Sequence, residues 1–191
     1  CAAARRIDGA KRTDAIDLLQ SHTWTYSDPS WLDALFHLQD LKREGLVRNI
    51  GVTNFDAAHL RDIARLSAEL NAPVMIHLAE MTEEMTSIRR DHAMTPIEYL
   101  DSLGLLNRRL IAAHCIFVTD TDISLLKERD VGVAHAMVAN IKSAKGVAPA
   151  LKMFNQGLRI GLATDGPMSG NTLDIIGQLG YVAKVHKLDN K

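Results

Sequence analysis

The sequence Val74-Met75-Ile76-His77-Leu78-Ala79-Glu80 decides how this chain is expected to fold. It is a short apolar run that follows Pro73 and ends in polar residues, a pattern typical of a buried parallel strand. His77 and Glu80 then fall at the carboxyl end of the strand, which is the reactive face of a βα barrel. His77 is therefore a candidate metal ligand and Glu80 a candidate proton carrier. For His77 alone, a buried and hydrogen-bonded structural histidine is the simpler interpretation.

Strand and helix patterns alternate along the rest of the chain about six times, with short connections. This alternation predicts an α/β fold with a parallel sheet. A closed TIM-like barrel needs eight βα units and about 250 residues, so we expect a partial or hybrid (βα) barrel of about six units, in one domain over 1–191. The predicted strands are 16–20, 47–52, 73–79, 109–114, 131–135 and 158–163; the predicted helices follow Asp28-Pro29 and Asp56, cover about 82–91, 96–103 and 120–129, end at Gly157, and cover about 171–186.

Composition and charge restrict the class of protein. The chain has 191 residues, enough to bury a substantial core, and a net charge of −1, which gives no basis for a nucleic-acid or membrane partner. It has two cysteines, the terminal Cys1 and Cys115 in an apolar run, so a disulfide framework is not expected. The sequence has no run long enough to cross a bilayer and no signal-peptide pattern at its start. We therefore expect a cytoplasmic protein that acts on a small molecule.

Polar side chains end the successive predicted strands. Because the ends of parallel strands converge on one rim, imidazoles and a carboxylate there form a plausible site for zinc or a similar divalent ion. Such an ion lowers the pKa of its water, and a carboxylic acid beside it can carry a proton to a leaving group. Structural histidines and a turn or cap role for Asp165 remain open on spacing alone. The strand-end residues are His22, Asn54, His77 with Glu80, His114, His135 and Asp165.

Several longer motifs occur in order over more than half of the chain. They are His77-Leu-Ala-Glu80, Ala112-Ala-His114-Cys115, Val133-Ala-His135 with Asn140-Ile-Lys142, Gly146-Val-Ala-Pro149, and Thr164-Asp165-Gly166 with Ser169 and Asn171. Together, from about residue 73 to 187, they resemble the amidohydrolase superfamily, in particular its methylthioadenosine/S-adenosylhomocysteine deaminase and chlorohydrolase-like branch.

The resemblance implies roles for the strand-end residues. His77 would be a metal ligand, and Asp165 would bind the metal and take a proton from its water. His114 would orient or polarise the attacking hydroxide. Glu80 would protonate the ring nitrogen of an adenosine-like substrate and then help to expel ammonia.

Two further residues would contact the substrate. Ser169 would lie near the leaving amino group or the base, and His135 occupies the position of another strand-end histidine of the family. The family's usual Asn-Pro after that histidine is Ala136-Met137 here, which departs from the pattern. The lysines of the following loop, Lys142 and Lys145, are interpreted as solvated charges.

The family also implies a His-x-His pair on its first barrel strand, and this sequence contains none. The resemblance therefore implies Zn²⁺ or Fe²⁺ with an incomplete ligand set. Weak metal binding by a single copy follows, because zinc sites normally need three or four ligands. The alternative from another class is an inert, self-associating barrel fragment. Six strands leave two exposed sheet edges, which predicts a homo-oligomer.

A different pattern occupies the N-terminal third. The stretches Asp17-Leu-Leu-Gln-Ser-His22-Thr-Trp24 and Leu41-Lys-Arg-Glu-Gly45-Leu-Val-Arg48-Asn-Ile-Gly51-Val-Thr-Asn54-Phe55 resemble aldo-keto reductases over about 13–66. The resemblance implies a catalytic His22 and a nicotinamide-contacting Asn54, and with them a further alternative, an NADPH-dependent reductase. We expect a hybrid of a reductase-like part (1–70) and an amidohydrolase-like part (71–191).

Overall fold

The fold is built from parallel strands that alternate with helices. The computed structural model describes residues 14–22, 30–53 and 59–188, and within them the predicted α/β order is confirmed. The elements are β1 (Ile16–His22), α1 (Ser30–Arg43), β2 (Val47–Thr53), α2 (Leu60–Leu70), β3 (Val74–Leu78), α3 (Thr82–His92), α4 (Pro96–Ser102), β4 (Leu110–His114), α5 (Asp120–Glu128), β5 (Gly132–His135), α6 (Met137–Lys142), α7 (Ala150–Asn155), β6 (Arg159–Leu162), α8 (Pro167–Gly170) and α9 (Ile175–Val185).

The chain divides into two compact units, residues 1–75 and 76–191. The division falls inside β3, the strand from which the sequence analysis started. The division at 70/71 that was expected from the two resemblances concerns ancestry, and it stays a prediction.

The first unit pairs β1 with β2 in parallel, from Ile16 opposite Val47 to His22 opposite Thr53. β2 then pairs with the start of β3. Apolar side chains of the strands and of α1 and α2 form its core because each element turns one apolar face inward. The buried members are Val47, Ile50 and Ala72, against which Ile16, Leu19, Leu38, Leu41 and Leu70 pack.

The second unit orders its strands β3, β4, β5 and β6. β5 is parallel to both β4 and β6. At the carboxyl end of β4, the N–H of Cys115 donates to the carbonyl of Leu78 at 3.0 Å, and the N–H groups of Ile116 and Phe117 donate to that of Ala79 at 2.9 Å. These hydrogen bonds hold the ends of β3 and β4 side by side.

The last helix begins later than predicted. Asn171, the expected start, has a left-handed φ of 63° and ends the short α8 instead. Asp174 caps α9 by accepting the N–H of Gly177 at 3.0 Å, because an N-cap carboxylate satisfies a donor that the helix leaves open. The expected helix up to Gly157 is two short helices, α6 and α7.

Some predictions fall on residues that are not described. They are the helix over most of 1–15, the caps at Asp28-Pro29 and Asp56, the side chain of His22, and Asn54. Within the described ranges, the search for a helix of sufficient length and apolar character to cross a membrane found none.

Candidate metal and catalytic site

Three strand ends of the second unit bring His77, His114 and Asp165 together. One ligand atom from each lies within 4.8 Å of the others. His77 is on β3, His114 ends β4, and Asp165 follows β6. The two imidazoles stack, with ring centroids 5.4 Å apart and planes 18° apart. The juxtaposition expected from parallel strand ends is therefore present in the fold.

The backbone turns sharply where these side chains leave the sheet. Ala79, His114, Cys115 and Asp165 all have positive φ, at 50°, 73°, 48° and 57°. The left-handed region is uncommon for residues other than glycine, and such strain of about 1–3 kcal/mol per residue clusters at functional sites. The Cys115 thiol itself is inert here, because burial raises its pKa to about 12.

His114 is fixed by a residue to which the sequence analysis gave no role. Its Nδ1 lies 2.7 Å from Oδ1 of Asn140 on α6, and both side chains are buried. Since that amide oxygen accepts, Nδ1 carries the proton and Nε2 carries the lone pair. Nε2 faces Glu80, with Oε1 at 3.5 Å. Asn140 therefore turns the basic nitrogen of His114 toward the site, as the outer partners of metal-bound histidines do.

Glu80 is largely buried and has a cationic partner. The ammonium of Lys145 donates to its Oε1 at 2.5 Å. The interpretation of Lys145 as a solvated charge was therefore wrong. That of Lys142 was also wrong, since its ammonium donates to Asn171 Oδ1 at 2.6 Å and to the carbonyl of Met168. Both lysines had looked like loop charges because their partners are distant in sequence.

Glu84 is a second residue that the sequence analysis missed. Its carboxylate accepts the N–H of Ala79 at 2.9 Å and that of Glu80 at 3.0 Å. Burial raises the pKa of Glu84, the hydrogen bonds from Ala79, Glu80 and Met81 lower it, and the charge of Glu80 raises it again, with a net upward shift. Glu84 thus anchors the backbone that carries Glu80. The available signal was a glutamate in the first turn of α3, the third position of a capping box.

A cavity of about 140 Å³ opens beside these groups. Glu80, Asp165 and Ser169 line it, so the structure places one predicted substrate residue next to two catalytic candidates. Asp165 also accepts the N–H of Gly166 at 2.8 Å, which satisfies the turn role left open by the sequence. The remaining lining residues are Ala139, Lys142, Ser143, Lys145 and Met168.

His135 is not in the lining of that cavity. It is buried at the end of β5, and its Nε2 lies 3.1 Å from Nε2 of His186. Desolvation lowers the pKa of His135 to about 4, and His186 and His114 lower it further. The expected substrate contact of His135 stays a prediction.

The donor atoms fit a divalent metal ion. Two imidazoles and one carboxylate are the ligand types that zinc and ferrous iron take in proteins. His77, His114 and Asp165 would hold the ion, and Glu80 lies beside His114 without belonging to the three. The sequence analysis named His77 and Asp165 as ligands and His114 as a catalytic group.

Comparison with known proteins identifies the family. A profile described as "Amidohydrolase family" matches residues 35–191. This match covers more than half of the chain, and the chain belongs to the amidohydrolase family. The amidohydrolase resemblance drawn from the motifs is confirmed.

Curated relatives match over part of their own length. A 5-methylthioadenosine/S-adenosylhomocysteine deaminase of Dictyoglomus turgidum is 41% identical over 128 residues, which are 67% of this chain and 30% of that protein. A 5'-deoxyadenosine deaminase of Methanopyrus kandleri is 37% identical over 130 residues, 68% of this chain and 30% of that protein. The chain thus spans about 30% of the length of these relatives.

Solved structures agree with the fold. An adenosine deaminase of Xanthomonas campestris with bound zinc superposes with a TM-score of 0.83 at 27% identity, over 92% of this chain and 43% of that one. The atrazine chlorohydrolase TrzN of Arthrobacter aurescens in complex with zinc gives 0.75 at 19% identity, over 91% and 43%, a likeness of fold alone. The TIM-like partial barrel is confirmed.

These matches do not support the second resemblance. The family match begins at residue 35, upstream of the expected start at 73, and overlaps much of the aldo-keto reductase-like segment of 13–66. The reductase resemblance and the hybrid account built on it stay predictions.

Proposed function

We propose that this chain is a metal-dependent hydrolase that deaminates adenosine-like or related N-heterocyclic substrates. The observation that carries the proposal is the cluster of His77, His114 and Asp165 with the Glu80 carboxylate 3.5 Å from His114. The deaminases among the relatives support the choice of substrate class.

His77, His114 and Asp165 would hold Zn²⁺ or Fe²⁺. The ion would supply a Lewis acid and a water of lowered pKa near neutral pH. The family match and the zinc-containing neighbours favour a metal, and the choice between zinc and iron is part of the proposal.

The chain's own residues would move the protons. Glu80, protonated at a carboxylate oxygen, would give its proton to a ring nitrogen as water adds to the carbon that bears the amino group. The C–N bond would then break, with the leaving nitrogen taking a second proton and departing as ammonia. Asp165 would accept the proton of the attacking water, and His114, turned by Asn140, would orient that water.

Ser169 would contact the leaving amino group or the base. It shares the cavity wall with Glu80 and Asp165, and its hydroxyl can both donate and accept. Lys145 would keep the Glu80 carboxylate in place through its hydrogen bond.

Zinc titration of the metal-free chain and a deamination assay test the proposal. We expect one zinc per chain and slow release of ammonia from 5'-methylthioadenosine. Asp165→Asn should weaken zinc binding by at least about tenfold, because it removes a charged ligand. The matched control is Asp174→Asn, an exposed cap of α9 that should bind zinc like the parent. Absence of stoichiometric zinc, or equal affinity of the two variants, contradicts the proposal.

A second candidate is an inert, self-associating protein. It is favoured by the absence of a His-x-His pair from the sequence, which leaves fewer histidine ligands than the resemblance implies. Its mark would be a homo-oligomer, formed through sheet edges, that takes up no zinc. Light scattering on the same zinc-titrated samples distinguishes the two candidates.

The remaining expectations from the sequence are part of this proposal. They are a small-molecule substrate, a homo-oligomer and a cytoplasmic location. The NADPH-dependent reductase remains the further alternative, and tight binding of NADPH that depends on Asn54 would support it.

A further inference from the structure

A second cavity of the second unit has a different character. Its volume is about 430 Å³, within the range of about 300–1,000 Å³ that small-molecule sites occupy. It lies among β6, α7 and α9, and none of its lining residues lines the cavity of Glu80 and Asp165. Apolar side chains make up most of the wall, among them Phe154, Ile160, Leu162 and Val182.

The ionisable side chains in this wall are all basic. They are His135, His186 and Lys187, and none of the described lining residues is Asp or Glu. His135 and His186 are buried, with ring centroids 5.2 Å apart, and Lys187 is exposed. The charge of the wall therefore suits an anion and disfavours a cation.

His135 has a hydrogen-bonding group that the protein does not use. Its Nδ1 is buried and has no hydrogen-bond partner in the structure. Burial that lowers the pKa of His135 to about 4 keeps the ring neutral at pH 7, so the ring has one N–H and one lone pair. If His135 Nε2 accepts from His186, the N–H is on Nδ1. A buried donor without a partner is costly, and an acceptor bound in the cavity would relieve it.

We infer that this cavity binds a small organic acid with an apolar body. The carboxylate would accept a hydrogen bond from the histidine pair and be attracted by Lys187. The apolar body would pack against Phe154, Ile160 and Val182. This site is independent of the proposed deaminase reaction, and its ligand belongs to the class of aliphatic or aromatic monocarboxylic acids.

Three probes of equal chain length test the head group. Isothermal titration of the metal-free full-length chain at pH 7 should show binding of octanoate at least about tenfold tighter than of octylamine or octanol, the difference expected for a hydrogen bond to a charged group. Equal affinity for the three probes, or a preference for octylamine, overturns the inference.

Substitutions test the location. Ala183→Trp fills the cavity from α9 and should weaken octanoate binding by at least about tenfold. Leu179→Trp adds the same ring to an exposed position of the same helix outside the lining, and should change binding less than about twofold. Equal effects of the two variants overturn the placement. His186→Phe keeps the ring and removes the nitrogens, and should also weaken octanoate binding.

Thermal unfolding of the unsubstituted chain covers the case in which a variant fails to fold. A ligand that binds the folded state raises the melting temperature by mass action. Millimolar octanoate should raise it and octylamine should not. A melting temperature that octanoate leaves unchanged overturns the inference.

Discussion

Two pairs of histidines in the second unit have similar geometry and different surroundings. The rings of His77 and His114 are 5.4 Å apart, and those of His135 and His186 are 5.2 Å apart. The first pair lies beside carboxylates, while the second lines a cavity with a mainly apolar wall. The chemistry of an imidazole here depends on what its nitrogens face.

The outer nitrogen of each buried ring shows the difference most clearly. Nδ1 of His114 is satisfied by Asn140 at 2.7 Å, which leaves Nε2 directed at the carboxylate of Glu80. Nδ1 of His135 has no partner, and burial lowers the pKa of that ring to about 4. The first arrangement suits a ligand or proton acceptor, and the second suits a neutral group that awaits an acceptor.

The largest expected effect concerns the carboxylate beside the first pair. Glu80→Gln keeps the shape of the side chain and removes its proton-carrying ability, so kcat for deamination should fall by about 10²–10⁴ with zinc content unchanged. The comparison predicts no such loss for His186→Phe at the second pair. A Glu80→Gln variant as active as the parent would remove the chemical distinction between the pairs.

The next effect is a pH dependence of stability. The pKa of His135 is about 4 in the folded state against an ordinary value of 6.5, so between these values the unfolded chain binds more protons. Stability should therefore fall as pH drops from 6.5 toward 4, by on the order of 3 kcal/mol at most. Glu84, with a raised pKa, acts in the opposite direction as pH rises above its ordinary value.

Urea unfolding at several pH values measures this dependence. Subtracting the curve of His135→Phe isolates the histidine, because Glu84 is common to both proteins. His37→Phe, which replaces an exposed histidine, is the control. Parallel curves for the parent and His135→Phe would show that His135 is not held neutral by its surroundings.

Asn140 sharpens the comparison from the other side. Asn140→Ala should lower zinc affinity by about 10–100-fold, since His114 loses the partner that fixes its tautomer. Asn155→Ala, at an exposed position at the end of α7, is the matched control. Competition with a chromophoric chelator gives both affinities. An Asn140→Ala affinity equal to that of the control would mean that His114 needs no fixing.

The smallest effect is expected at Lys145. Its ion pair with Glu80 is partly exposed, so Lys145→Met should lower kcat only about two- to fivefold with KM little changed. Lys145→Arg should restore most of the loss, whereas Lys152→Met, which removes an exposed ion pair with Asp120, should have no effect. A change confined to KM would assign Lys145 to substrate binding instead.

The fold was accessible from the sequence because it depends on local patterns. Apolar runs such as 74–78 end in polar residues, and the placement of His77 and Asp165 on one rim follows from parallel strand order. The start of α9 was missed because the conformation of Asn171 is not encoded in a pattern.

The supporting contacts were not accessible in the same way. Lys145 meets Glu80 across 65 residues, and His186 meets His135 across 51. Such pairs depend on how loops and the last helix return to the strand ends. Asn140 and Glu84 act through single hydrogen bonds, and composition and periodicity carry no information about these.

The positive φ angles at the strand ends bear on how this protein can be engineered. Ala79 has a left-handed φ of 50° and contributes only a methyl group to its surroundings. Glycine adopts that conformation without penalty, so Ala79→Gly should relax the turn while every chemical side chain stays in place. The same exchange at His114 or Asp165 would relax the chain and delete the chemistry. Robustness and reactivity therefore compete at those two positions, and Ala79 is where a thermostable version can be sought without that conflict.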